Sequence, residues 1–100
     1  MGFFNGMKSV MRANETLKRI EECIDMLEYY INSGDFAQAR TYCNETARRV
    51  REFLEIMEGS KTAEVSVYKF KGQKFRSMQL ALMFNEALQS ANSIITSHGY

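Results

Sequence analysis

The sequence predicts a mainly α-helical fold: an antiparallel bundle of three long helices at about 8–32, 35–58 and 76–97, with a short extended or hairpin segment at about 64–72. Three observations predict it. None of the 100 residues is proline, so nothing in the chain obstructs a long helix. Apolar residues recur at alternating steps of three and four over two stretches of equal length, as in a helix that buries one stripe. Glycine alone punctuates the chain, with Gly34, Gly59 and Gly72 dividing it into pieces. At 45% hydrophobic and 25% charged residues, with 13 Lys and Arg against 12 Asp and Glu, the composition is that of one globular domain over 1–100.

Residues 1–7, which hold Gly2 and Gly6, read as a loose N-terminal arm. The first helix then carries the seam Val10, Ala13, Leu17, Ile20, Ile24, Leu27 and Ile31. A second row, Thr16, Cys23 and Tyr30, widens the stripe, so this helix expects two neighbours. Asn32 and Ser33 are poor helix-interior residues, and Gly34 can adopt the left-handed cap conformation. Asp35 is a good N-cap, with Gln38 three residues on completing a capping-box pattern.

The second seam is Phe36, Ala39, Cys43, Thr46, Val50, Phe53 and Met57. Both seams span 22 residues, about 33 Å of helix, and the short turn makes them antiparallel. That register pairs Ile31 with Phe36, Ile24 with Cys43, Leu17 with Val50 and Val10 with Met57, and buries Leu17, Ile24, Val50 and Phe53. Glu28 and Arg40 fall on one flank as a possible ion pair. On the outer face Glu45 and Arg49, Arg48 and Glu52, and Arg51 and Glu55 lie four apart, each pair contributing only about 0.2–0.5 kcal/mol. The turn "GDFAQAR" is similar to turns of tetratricopeptide and microtubule-interacting-and-transport helical hairpins. No repeat of about 34 residues accompanies it, so no family is assigned.

Beyond Gly59 the stretch "TAEVSVYKFKGQKFR" is rich in β-branched and aromatic residues and alternates, as an extended arm or a hairpin around Lys71 and Gly72 would. Helical spacing returns near Ser77 with Leu80, Phe84, Ala87, Ala91 and Ile94, flanked by Ala81, Leu88 and Ile95. Phe75, Met78 and Leu82 form a separate apolar strip that three helices do not cover. The 64–71 segment, Phe3 and Phe4 of the arm, or a second chain would cover it, and in the last case the three are the candidate interface of a homodimer.

Chemistry-bearing motifs are scarce. His98 is the only histidine, which excludes a histidine-based triad or a multi-histidine metal site. No phosphate-cradling glycine motif, HExxH or CxxC occurs, and the carboxylates are strung along helix faces among other charges. The expectation is therefore a protein that is not an enzyme, with no catalytic, cofactor-binding or metal-binding residue to assign. Cys23 and Cys43 fall in one layer of the hairpin and read as reduced core thiols. No run of about 18 apolar residues exists, and the N-terminus lacks the apolar core of a secretory signal, so the expected location is cytoplasmic.

Two functional readings follow. The first is a non-catalytic protein–protein interaction module, such as an adaptor, small chaperone or assembly subunit, presenting a helical surface. Met26, Met78, Met83, Tyr29, Ile56 and Leu82 lie outside the seams and would supply adaptable apolar patches. The alternative is nucleic-acid or anionic-membrane-surface binding through 68–76, where Lys69, Lys71, Lys74 and Arg76 interleave with Tyr68, Phe70 and Phe75. Residues 59–100 hold five basic and two acidic groups, yet the whole chain carries only +1, a small footprint for phosphate binding.

Overall fold

The computed structural model describes residues 3–100, with side chains from Gly6 onward. In order the elements are α1 (Phe3–Ser33), α2 (Phe36–Gly59), α3 (Lys61–Val65), β1 (Val67–Phe70), β2 (Gln73–Arg76) and α4 (Ser77–Ser97). The three expected long helices are α1, α2 and α4. The 31 residues of α1, about 46 Å of helix, set the long dimension of a molecule measuring 49 × 23 × 18 Å.

Local chemistry fixes the two sharp turns. Gly34 has φ +80°, its N–H donates to the Ile31 carbonyl, and the Asp35 N–H donates to the Tyr30 carbonyl. These are the two bonds of a Schellman cap. Asp35 then starts α2, its carboxylate accepting from the Gln38 N–H at 3.2 Å. In the β-hairpin both loop residues take positive φ, +51° at Lys71 and +80° at Gly72, which is the two-residue turn whose twist suits antiparallel strands.

Three boundaries differ from those expected. Helix α1 begins at Phe3, so the segment read as a loose arm is helical from there, while Met1 and Gly2 lie outside the described residues. Gly6 belongs inside this helix because α3 lies against it: a Cβ there would fall 2.6 Å from Thr62 Oγ1. The expected extended segment of about 64–72 loses its first two residues, Glu64 and Val65, to the helical turn α3 (Lys61–Val65). The Ser60 hydroxyl caps it by accepting the Ala63 N–H at 3.2 Å, and Ala63 is fully buried. Finally, β2 runs to Arg76, so α4 starts at Ser77; the Gln79 side chain accepts the Arg76 N–H at 2.8 Å.

The core has two parts. The larger gathers Leu17 and Ile20 of α1, Val50 and Phe53 of α2, Tyr68 and Phe70 of the hairpin, and Leu80 and Phe84 of α4. Edge-to-face contacts of Phe53 with Tyr68 and Phe84, and of Phe70 with Phe84, join the three layers. The smaller part holds Leu27, Ala39, Cys43, Ala91 and Ile95, with Tyr30 stacked on Tyr42 at its edge. Of the four side chains expected to be buried, Leu17, Val50 and Phe53 are; Ile24 is half-buried. Ile56, taken as a surface residue, is buried instead.

Helix α4 leans on α2 and touches α1 at few places. Arg40 accounts for much of this. Its Nε donates to the Tyr100 carbonyl at 3.1 Å, Nη1 to Asn92 Oδ1 at 2.7 Å and Nη2 to Thr96 Oγ1 at 3.1 Å. Arg40 thus faces α4, not Glu28, and the expected Glu28–Arg40 pair does not form. His98 stacks on Phe36 with ring centroids 3.9 Å apart, which holds the end of α4 to the start of α2. On the outer face of α2, Glu45 pairs with Arg48 and Arg49, and Glu52 pairs with both as well. The expected Arg51–Glu55 pair is not among the ion pairs of the described residues.

Candidate functional site

Because α4 leans on α2, the seam between α1 and α4 is left to whatever else can fill it. At one end the hairpin does so, with Tyr68 and Phe70 fully turned inward. At the other end none of the described residues does. There the helices bound an apolar groove of about 270 Å³. Ile24, Leu27 and Ile31 form its α1 wall, Leu88, Ala91 and Ile94 its α4 wall, and Thr46 of α2 lies at its floor. The Thr46 hydroxyl donates to the Tyr42 carbonyl at 2.6 Å, so the floor offers no unsatisfied hydroxyl. Glu28 and Asn32 stand on one lip, and Ala87 and Ser90 on the other.

Dimensions decide what such a groove can hold. From Ile24 to Ile31, and from Ala87 to Ile94, each wall spans eight residues, about 10 Å or two helical turns. A cavity of about 150 Å³ already holds a benzene-sized group, so this volume has room for about two apolar side chains. It falls just below the range of about 300–1,000 Å³ typical of small-molecule pockets, and it lacks their convergent polar groups.

Electrostatics set the groove apart from the rest of the surface. Between Glu21 and Asn32, α1 carries Glu21, Glu22, Asp25 and Glu28 and no cation, while the sole charge on α4 is Glu86. Lys71, at the hairpin tip, is the cation that answers them. Its Nζ lies 3.0 Å from Asp25 Oδ1, and its backbone N–H donates to Glu21 at 3.0 Å. The Asp25 hydrogen bond, with Glu28 and Glu21 nearby, pushes the Lys71 ammonium above its ordinary value. Glu28 has no ion-pair partner among the described residues.

The residues singled out from sequence do not share one surface. Phe75 is half-buried and packs on the larger core, so the strip it was to form with Met78 and Leu82 loses its first member. Met78 and Leu82 are 75% and 61% exposed. In the basic–aromatic segment, Tyr68 is 1% exposed and its hydroxyl donates to the Ala63 carbonyl. Burial pushes that phenol above its ordinary value. Lys69 and Lys74 face each other across the ladder and are exposed, Lys71 is tied to α1, and Arg76 Nη1 donates to the Val65 carbonyl at 3.0 Å. The cations and the rings therefore lie on opposite faces of the hairpin. Cys23 is half-buried and Cys43 buried, both as free thiols, and burial raises both above the usual thiol value.

The groove residues were missed as a site because each reads as core. Ala87 and Ile94 were placed in the α4 seam, yet Ala87 is exposed and Ile94 is 42% exposed, while Leu88 and Ile95 take the inward positions. The one legible signal was the acidic bias of 21–32, where Glu21, Glu22, Asp25 and Glu28 follow Lys18 and Arg19 with no further cation before the turn. Compared with protein-family profiles, with curated proteins and with solved structures, the chain finds no match in any of the three.

Proposed function

We propose that this protein is a non-catalytic interaction module whose α1–α4 groove receives apolar side chains of a protein partner. The observation that carries the reading is the groove itself: two turns long, apolar throughout its walls, and left open where the hairpin stops. Its lips are polar, as the rim of a protein interface is, and its interior offers nothing to orient a reactive small molecule. A photo-crosslinking residue placed at Ser90, on the lip, should give adducts with a protein in the native cell. The same residue at Arg51, on the outer face of α2, should give none. Equal adducts at both positions, or none at Ser90, would count against the reading.

Self-association belongs to the other flank of α4. Met78 and Leu82 are the most exposed large apolar side chains of that helix, and a two-fold contact through them would cover both. Anion binding through Lys69, Lys74 and Arg76 has less support, because the rings that would stack on bases face the core.

A further inference from the structure

Resting on the groove reading above, we infer that the occupant is an amphipathic helix whose apolar stripe is flanked by Lys or Arg. Charge complementarity points there. Glu28 stands on the α1 lip without a partner among the described residues, Asp25 and Glu21 continue the same flank, and Glu86 is the sole charge of α4. Lys71 pairs directly with Asp25 and lies near enough to Glu28 and Glu21 to feel their charge, but it sits at the hairpin end and forms no ion pair with Glu28.

The same charges sort the other apolar occupants. A fatty acid or anionic lipid would bring its head group against Glu28, and a nucleic acid would meet an acidic lip. A helix meets neither problem. The α4 lip is built of Ala87 and Ser90, small enough for a second backbone to approach closely, and the two-turn walls match apolar residues at steps of three or four. Basic residues beside that stripe then reach Glu28 on the α1 lip, where exposed pairs set specificity and association rate more than affinity.

The test uses the full chain and two designed helical peptides of equal length with one leucine stripe, one flanked by lysines and one by glutamates. Fluorescence anisotropy should show the lysine peptide binding, more weakly as salt rises, and about five- to tenfold tighter than the glutamate peptide. Glu28→Lys should reverse that preference. Ser90→Trp, an exposed change that fills the groove, should abolish binding of both while circular dichroism shows the fold intact. If both peptides bind equally and Glu28→Lys changes nothing, but Ser90→Trp still abolishes binding, the basic-flank inference falls and the groove reading stands. If Ser90→Trp leaves binding unchanged, or the lysine peptide fails to bind, both fall. The chain's own Met7 and Met11 lie beside Lys8 and Arg12 and are 43% and 61% exposed. A doubled mass in light scattering that Ser90→Trp returns to monomer would make the occupant a second copy and overturn the inference of a separate partner.

Discussion

A glycine inside a helix ordinarily costs about 0.5–1 kcal/mol relative to alanine, so replacing Gly6 by Ala would normally stabilise α1. Here the new methyl meets Thr62 of the short helix α3, with Oγ1 at 2.6 Å and Cβ at 2.8 Å, atoms held close to the backbone rather than at the far end of a flexible side chain. Overpacking of about 1–3 kcal/mol exceeds the propensity gain. Gly6→Ala should therefore lower the denaturation midpoint, and a rise would show that α3 does not press on α1. Tyr68 carries a second expectation. Its folded pKa is raised by burial, so its contribution is intact below the unfolded value of about 10 and is lost as pH rises through the folded value. Lys71, raised chiefly by Asp25, acts with the same sign in the same alkaline window. Comparing wild type with Tyr68→Phe separates them: the variant should be less stable by about 1 kcal/mol at pH 7 and should lose less between pH 9 and 11. An identical alkaline loss in both proteins would remove Tyr68 from the account. Sequence spacing already placed Leu17, Val50 and Phe53 in the core. It gave no sign that Tyr68 would be among the most buried side chains, because that depends on the hairpin folding back between α1 and α4.

At the scale of elements, α1, α2 and the turn between them were legible because their signals are local: a three-four seam, a glycine cap and an aspartate N-cap. Helix α3 was not, since Thr62 and Val65 favour extended backbone and their preference is overridden by the Ser60 cap and by burial of Ala63. For α4 two rows obey the same spacing, one through Ala87 and Ile94 and one through Leu88 and Ile95. Arg40 and Phe36 on α2 decide between them, and neither is near α4 in sequence. A hairpin around Lys71 and Gly72 was one of the forms the sequence left open, and the structure takes it, with positive φ at both turn residues. Gly72→Ala should cost about 1–2 kcal/mol, while Gly72→Asn, which tolerates that conformation, should cost less. Equal losses for the two, measured by urea denaturation, would show that backbone conformation is not what Gly72 supplies.

For the whole molecule, the open seam between α1 and α4 follows from how α4 is distributed between its neighbours. No reading of spacing along one helix reveals that, which is why the groove went unseen while its acidic lip was in plain view. The other flank of α4 makes a separate prediction. If Met78 and Leu82 mediate self-association, wild type should run as a dimer by light scattering at high micromolar concentration, and Met78→Glu with Leu82→Glu should give a folded monomer. A wild-type monomer would leave those side chains as isolated surface residues. The most direct test of the central claim, that the α1–α4 groove is the protein-binding site, is methyl NMR during titration with the lysine-flanked peptide. The account predicts shifts at the methyls of Ile24, Leu27, Ile31, Leu88 and Ile94, with Leu82, Val65 and Val67 unmoved. Shifts centred on Leu82 or Val67, or none with peptide at about 1 mM, would contradict it.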